Sequence, residues 1–302
     1  MARLLFGKGA KGEIIRRVQQ QLAALGLYTS KIDADYGSGT AKAISAFQQS
    51  RNLQETGELD DVTWSALMNA PIPPVEDRCL GLTAAFEGHG FTLAQGNFDG
   101  AGVTWGIIGF TLAGGELKTI FTEACQQDEA TVRACFGDRF DELLAVLDKP
   151  KAEQLAWADS ISTGKKKAGL KEPWLSAFAR FGETDLGQSL QLARVNNRYQ
   201  KTASSIVAKY GLSTELGRSL AFDIAVQNGS VNSAAAAQIA GRIKPDMSQQ
   251  QKREVIATAV GENAKNVAFR KDVLDRKLTI ARGEGVVHET KYVLKNWGLA
   301  EL

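Results

Sequence analysis

Phe98-Asp99-Gly100-Ala101-Gly102-Val103-Thr104-Trp105-Gly106-Ile107-Ile108-Gly109-Phe110 is the stretch on which the reading of the fold turns. Its second half, Val103 to Phe110, reads as the one good strand of the chain, and the wider segment 86–116 is rich in Gly, Thr and Phe and poor in helix formers. Thr104 and Trp105 alternate there, so a strand turns Trp105 toward a core and Thr104 away from it. Outward from this segment the pattern is helical, over roughly 116–127, 138–148, 150–162, 185–210, 214–228, 249–260 and 266–282. Arg282-Gly283-Glu284-Gly285 reads as a loop between two helices. A small β element in a helical body defines a mainly α protein of α+β type.

Toward the N-terminus, Asn69-Ala70-Pro71-Ile72-Pro73-Pro74 packs three of the six prolines into four positions. Proline removes backbone donors and disfavours helix in the residue before it, so residues 71–74 read as a stiff linker between a domain over 1–70 and one over 75–302. In the first domain Ile14, Ile15, Val18, Leu22 and Leu25 recur at helical spacing up to Gly26. A second helix carries Ala43, Ile44 and Phe47, and a third carries Val62, Trp64 and Leu67. Lys31–Gly39 between the first two is turn chemistry throughout.

Composition narrows the function. The 302 residues carry 36 Lys+Arg against 34 Asp+Glu, a net charge of +2, which calls for no nucleic-acid partner. No apolar run reaches the ~18 residues of a membrane span, and the N-terminus lacks the apolar core of a secretory signal. Three cysteines, Cys79, Cys125 and Cys135, make no disulfide framework and read as free thiols. Two histidines, His89 and His288, in no HExxH pattern, argue against a zinc enzyme, so no metal and no organic cofactor is expected. Chemistry in this chain falls to carboxylates.

Glu87 closes the apolar stretch Leu82-Thr83-Ala84-Ala85-Phe86 and is followed by Gly88-His89-Gly90. A carboxyl at such a helix end is expected to be partly desolvated, which keeps a proton on it near neutral pH, as a general acid needs. Asp99 sits in a glycine-rich turn that water can reach. Glycoside hydrolysis uses such an unequal pair of carboxyls.

The first domain, read as Gly12, Val18-Gln19, Leu22, Leu25-Gly26, Asp33-Ala34-Asp35-Tyr36-Gly37, Thr40, Ala43, Phe47-Gln48, Leu53, Gly57, Asp60, Thr63-Trp64 and Leu67, resembles the three-helix peptidoglycan-binding domain of bacterial cell-wall hydrolases. Ala34 and Tyr36 stand where that family's turn has Gly and Phe. Asp35, Tyr36 and Gln48 are the candidates for its groove, since a sugar-peptide calls for a flat aromatic and fixed donors and acceptors. Eight Lys/Arg against seven Asp/Glu in the module mean that charge is not its main grip.

Phe86-Glu87 followed by Phe98–Phe110 resembles the active-site segment of the chitosanases of glycoside hydrolase family 46, within the lysozyme-like superfamily. Asp99, Gly100, Gly102, Thr104, Gly106 and Phe110 fall on its pattern, and Ala221–Gly229 is similar to a later helix of that family. The resemblance implies Glu87 as general acid, Asp99 as general base, Thr104 as a holder of the attacking water, and inversion at the anomeric carbon. It places Glu116 at a substrate-binding acid. His89, Gln95, Asn97, Gln227 and Asn228 are further substrate-binding candidates, with Asn232 beside the last two. Asp223 reads equally as an ion-pair partner and as a functional group.

The chain departs from the chitosanases in a shorter Glu-to-Asp interval and in Asn228, where they carry His. A chitosanase also needs a cleft rich in carboxylates for its polycationic substrate. With a wall-binding module attached, the expectation is a monomeric, chitosanase-like muramidase acting on peptidoglycan. It resembles the endolysins of phages that infect Gram-negative bacteria, which implies accumulation in the host cytoplasm and release to the periplasmic wall through a membrane pore, with no stable membrane insertion. A delivered toxin or a wall-remodelling enzyme shares these features. The rival readings are a lytic transglycosylase, a chitosanase-type glycosidase, a non-catalytic wall-binding protein, and an amidase or peptidase, which the scarcity of histidine disfavours. The run Lys165-Lys166-Lys167 with Lys171 reads as a solvated loop or as an attraction to an anionic envelope.

Overall fold

The structure, a computed structural model, describes residues 2–88 and 90–302. The chain divides into two compact units, residues 1–86 with 199–302 and residues 87–198.

The first unit begins with β1 (Leu4–Phe6), α1 (Glu13–Ala24), α2 (Ser38–Ser50), β2 (Leu59–Asp60), α3 (Asp61–Met68) and α4 (Val75–Glu87). The three expected N-terminal helices form, and Ile15, Val18, Leu22, Ile44, Phe47 and Trp64 close their core. Asp60 caps α3 by accepting from Thr63 N at 2.7 Å. Two buried glutamines do the same work in succession. Gln19 accepts from Asp33 N and Ala34 N and donates to Asp33 Oδ1 and Thr40 Oγ1, fixing the turn before α2. Gln48 accepts from Thr56 N and Gly57 N and donates to Glu58 O and Thr63 Oγ1, fixing the turn before α3. A buried side-chain amide is tolerated because all its hydrogen-bonding capacity is used.

This corrects two of the groove candidates. Gln48 and Tyr36 are both fully buried. The Tyr36 hydroxyl donates to Gly57 O at 3.0 Å, and burial raises its pKa. Their polar atoms are spent inside the module. Asp35, half exposed and paired with Lys11 at 2.9 Å, is the one of the three that solvent reaches.

The second unit opens with β3 (Ala94–Gln95), β4 (Thr104–Trp105) and β5 (Phe110–Thr111), a three-stranded antiparallel sheet. The expected single strand is thus a hairpin, turned at Gly106–Gly109, with a third strand before it. The helices follow: α5 (Glu116–Phe136), α6 (Phe140–Leu147), α7 (Lys151–Ile161), the hairpin β6 (Ser162–Thr163) and β7 (Gly169–Leu170), α8 (Trp174–Glu183) and α9 (Asp185–Val195). α8 has no counterpart among the expected helices. Its Phe178 and Phe181 pack with Trp105, Phe121 and Phe136 in an aromatic core, where Trp105 and Phe181 stack at 5.5 Å. The expectation that Trp105 faces the core is met, since it is fully buried and its indole N–H donates to Phe178 O.

The helix expected over 185–210 is two helices, α9 and α10 (Lys201–Tyr210), joined through a π-helical turn at Asn196–Gln200. In the first unit there follow α11 (Glu215–Asn228), α12 (Ser233–Arg242), α13 (Gln249–Glu262), α14 (Arg270–Arg282) and the hairpin β8 (Glu284–Val287) and β9 (Thr290–Val293). The loop expected at 282–285 is instead the end of α14 and the start of this hairpin. Buried charge knits the unit. Asp223 accepts from Arg276 Nη2 at 2.6 Å, and its carboxyl also meets Lys277 Nζ. Burial alone would raise the Asp223 pKa, but the two cations outweigh it and bring it down to about 2. Asp223 is an ion-pair partner. The thiols are all free, with Cys79 and Cys135 buried, and burial pushes Cys79 up to about 12. Among the described residues no helix is long and apolar enough to cross a membrane.

Candidate active site

The small sheet of the second unit sorts its side chains into two rows. Ala94 pairs with Trp105 and Trp105 with Phe110; Gln95 pairs with Thr104 and Thr104 with Thr111. Residues paired across a ladder share a face, so the first row is apolar and joins the aromatic core, and the second is polar. Thr104 is the middle of the polar row. Its Oγ1 is buried and has no hydrogen-bond partner among the described residues. Most buried hydroxyls are paired, so this orphan marks a place where a further donor or acceptor would sit.

Asp99 lies in the turn between β3 and β4, exposed, with Oδ1 accepting from Ala101 N at 3.0 Å. The turn is braced from both ends. Asn97 Oδ1 accepts from Gly102 N at 2.9 Å, closing the loop around Asp99, while its Nδ2 donates to Asp159 Oδ1 at 2.7 Å. Asn97 N donates to Ser162 Oγ, and Gly96 N to Ala168 O. At Gly96 a Cβ would lie 2.4 Å from Lys167 O and from Ser162 Oγ, so only glycine lets the β6–β7 hairpin come this close. Asn97, a substrate-binding candidate, therefore has both polar groups engaged in shaping the Asp99 turn. Gln95 makes no side-chain hydrogen bond among the described residues and remains available from the polar row.

Gln191, on α9, was invisible to sequence reasoning. It is fully buried, accepts from Ile107 N at 2.9 Å and donates to Phe91 O at 3.1 Å. It thereby ties the segment that leaves Glu87 to the turn that leaves Thr104. Gly106 makes room for it: its φ is +87°, and a Cβ there would lie 2.2 Å from Gln191 Oε1.

Glu87 is the last residue of α4 and is half-buried. The two candidate carboxyls thus differ in exposure in the expected sense, Glu87 more sheltered than Asp99. Glu116 opens α5 and is buried; its Oε2 accepts from Thr111 Oγ1 at 3.0 Å and its Oε1 pairs with Arg198. That carboxylate is anchored to the polar row through Thr111. His89 lies outside the described residues.

Gln227 and Asn228 end α11 in the first unit. Gln227 donates to Asp272 Oδ2 and accepts from Lys277 Nζ, and Asn228 Oδ1 is buried without a partner among the described residues. With Asn232, which caps α12, and Asp272 they line a cavity of about 340 Å³. Among the described residues no group of three or more His, Cys, Asp or Glu is placed to hold a metal ion.

Residues 11–67 match the sequence family described as "Putative peptidoglycan binding domain". The chain is similar in fold to the family 46 chitosanase of Gynuella sunshinyii, solved with chitotetraose (15% identity, 74% of this chain and 99% of that one, TM-score 0.52). It is equally similar to the native chitosanase of Bacillus subtilis MY002 (15% identity, 72% and 97%, TM-score 0.52) and to a point mutant of a chitosanase from that strain in complex with 6 GlcN (17% identity, 73% and 98%, TM-score 0.51). At these identities the likeness is one of fold. No curated protein matches the sequence. The chain therefore carries a segment that matches a peptidoglycan-binding-type sequence family and shares the helical fold of the chitosanase structures.

Proposed function

We propose that this chain is a glycoside hydrolase that cleaves the glycan strand of peptidoglycan as a muramidase. The observation that carries the reading is the unequal pair in the second unit: a half-buried Glu87 at a helix end, and an exposed Asp99 on a braced turn one strand from a buried, unpartnered Thr104 hydroxyl. In this reading the Glu87 carboxyl protonates the glycosidic oxygen as the bond to the anomeric carbon breaks. Asp99 takes a proton from a water that Thr104 helps hold, and that water's oxygen forms the new bond to the anomeric carbon. The N-terminal match and the chitosanase-type fold support a wall glycan as substrate. The role that fits is that of an endolysin-like, monomeric enzyme that meets the wall from the host cytoplasm through a membrane pore.

The test is digestion of purified peptidoglycan followed by mass spectrometry of the products. A hydrated reducing end on muramic acid supports the proposal. An anhydro end makes the protein a lytic transglycosylase, a new end on glucosamine makes it a glucosaminidase, and release unchanged by Glu87→Gln removes this carboxyl from the chemistry.

A further inference from the structure

The lysine run 165–167 is not a loop remote from the site. It forms the tip of the β6–β7 hairpin, whose backbone carries the Asp99 turn: Ala168 O accepts from Gly96 N at 3.1 Å, and Lys167 O and Gly169 O press on Gly96. Lys167 Nζ reaches Asp159 Oδ1 at 2.8 Å, the same oxygen that holds Asn97. Lys165 and Lys166 are exposed and form no ion pair among the described residues.

The backbone of this tip is costly for the residues it uses. Lys166 and Lys167 have φ of 55° and 60°, in the left-handed region. That conformation costs a non-glycine residue roughly 1–2 kcal/mol, and glycine or asparagine adopts it more cheaply. The Lys166 side chain returns nothing to the fold that would offset this, since its ammonium has no partner among the described residues. What the tip gains from it is positive charge, two unneutralised ammonium groups on a hairpin that packs against the turn bearing Asp99.

We infer that Lys165 and Lys166 are specificity residues that recognise carboxylates on the peptides of peptidoglycan beside the glycosidic bond to be cut. The inference rests on the functional reading above and sharpens it. A polycationic chain such as chitosan would be repelled by this tip, whereas a glycan strand bearing acidic peptides would be attracted and slowed in leaving. The charge here is the opposite of what a polycation-binding cleft requires.

The experiment compares the full-length protein with Lys165→Gln/Lys166→Gln and with Lys166→Gly. Two substrates are used: purified peptidoglycan free of attached polymers, and the same material with its carboxylates converted to neutral amides by carbodiimide coupling to ethanolamine. Both cleavage and co-sedimentation are read. On native peptidoglycan at low salt the double variant is expected to lose about tenfold in kcat/KM, carried by KM, with the deficit closing as salt is raised to roughly 0.5 M. On the amidated material it should equal the wild type. Lys166→Gly should melt at or above the wild-type temperature and still bind native walls more weakly, which separates charge from turn stability. Equal losses on both substrates, or none on the native one, overturn the inference. Co-sedimentation decides this even if the wild type cuts no glycosidic bond, in which case the enzymatic reading fails by itself.

Discussion

Gln95 and Thr104 stand opposite each other in the β3–β4 ladder, and of that pair Thr104 carries a buried hydroxyl that no group among the described residues satisfies. An unpaired buried hydroxyl costs about 1–3 kcal/mol, so its removal by an isostere should not weaken the fold. Thr104→Val is expected to melt at or slightly above the wild-type temperature, yet to lose on the order of 10- to 100-fold in kcat on peptidoglycan, because the attacking water loses an anchor. Thr104→Ser should recover most of the rate. A valine variant with wild-type turnover would remove Thr104 from the reaction.

Asn97 and Asp159 test whether the Asp99 turn must be held. The hydrogen bond from Lys167, followed by the one from Asn97, holds the Asp159 carboxyl below its ordinary range. A depressed folded pKa means the brace is present above the ordinary carboxylate value near 3.8 and is lost as pH falls through the lower folded value. At neutral pH it is fully in place. Asn97→Ala and Asp159→Asn should each lower kcat by roughly tenfold with KM little changed, since they misplace Asp99 without touching bound sugar. Steady-state kinetics that show a pure KM effect would instead mark Asn97 as a substrate contact.

What the sequence disclosed, and what it hid, divides along contact range. The inward turn of Trp105 follows from strand alternation, and the three N-terminal helices follow from their apolar spacing. Gln191 sits 84 positions from the amide it holds, and Asp159 lies 62 positions from Asn97, so no local pattern announces either. The strands β3 to β7 are two residues long, too short for a period to show. The hairpin at 284–293 is hidden in the sequence because Gly283 and Gly285 at its start read as a loop. Tyr36 and Gln48 misled for a different reason. A polar tip on a large side chain suits a ligand groove and a turn-holding core position equally well, and only the partners Gly57 O, Glu58 O and Thr63 Oγ1 decide between them.

Asp223 contributes acid-sensitive stability to the first unit. Its pKa lies near 2, below the ordinary 3.8, so its stabilising effect is complete above about pH 4 and drains away as pH falls through 2. Asp223→Asn removes the buried carboxylate that Arg276 and Lys277 both meet, a loss of about 3–5 kcal/mol at neutral pH. Urea unfolding at several pH values should show the gap between wild type and variant narrowing from pH 4 downward. A gap that is constant with pH would mean that the carboxylate's charge is not what the unit depends on.

The N-terminal module offers the last test, because within the first unit it is more than a tethered anchor. Arg3 Nη2 donates to Glu215 Oε1 at 2.6 Å and to Gly298 O, Arg78 Nη2 reaches the same Glu215 oxygen at 2.8 Å, and Gly7 N donates to Asn296 O. Burial works to raise the Glu215 pKa, but the hydrogen bonds and charges of Arg78 and Arg3 outweigh it and hold the carboxylate low. Arg3 is one-third exposed, so Arg3→Ala should cost only about 1 kcal/mol, whereas Arg78→Ala, at a buried site, should cost about 3. Deleting residues 1–70 should accordingly do two things: weaken sedimentation with walls, and lower the melting temperature of what remains, because Asn296 and Gly298 lose their hydrogen bonds to Gly7, Lys8 and Arg3. A truncated protein that melts at the full-length temperature would show that the joint at Glu215 lends the fold nothing, and would leave wall binding as the module's sole contribution.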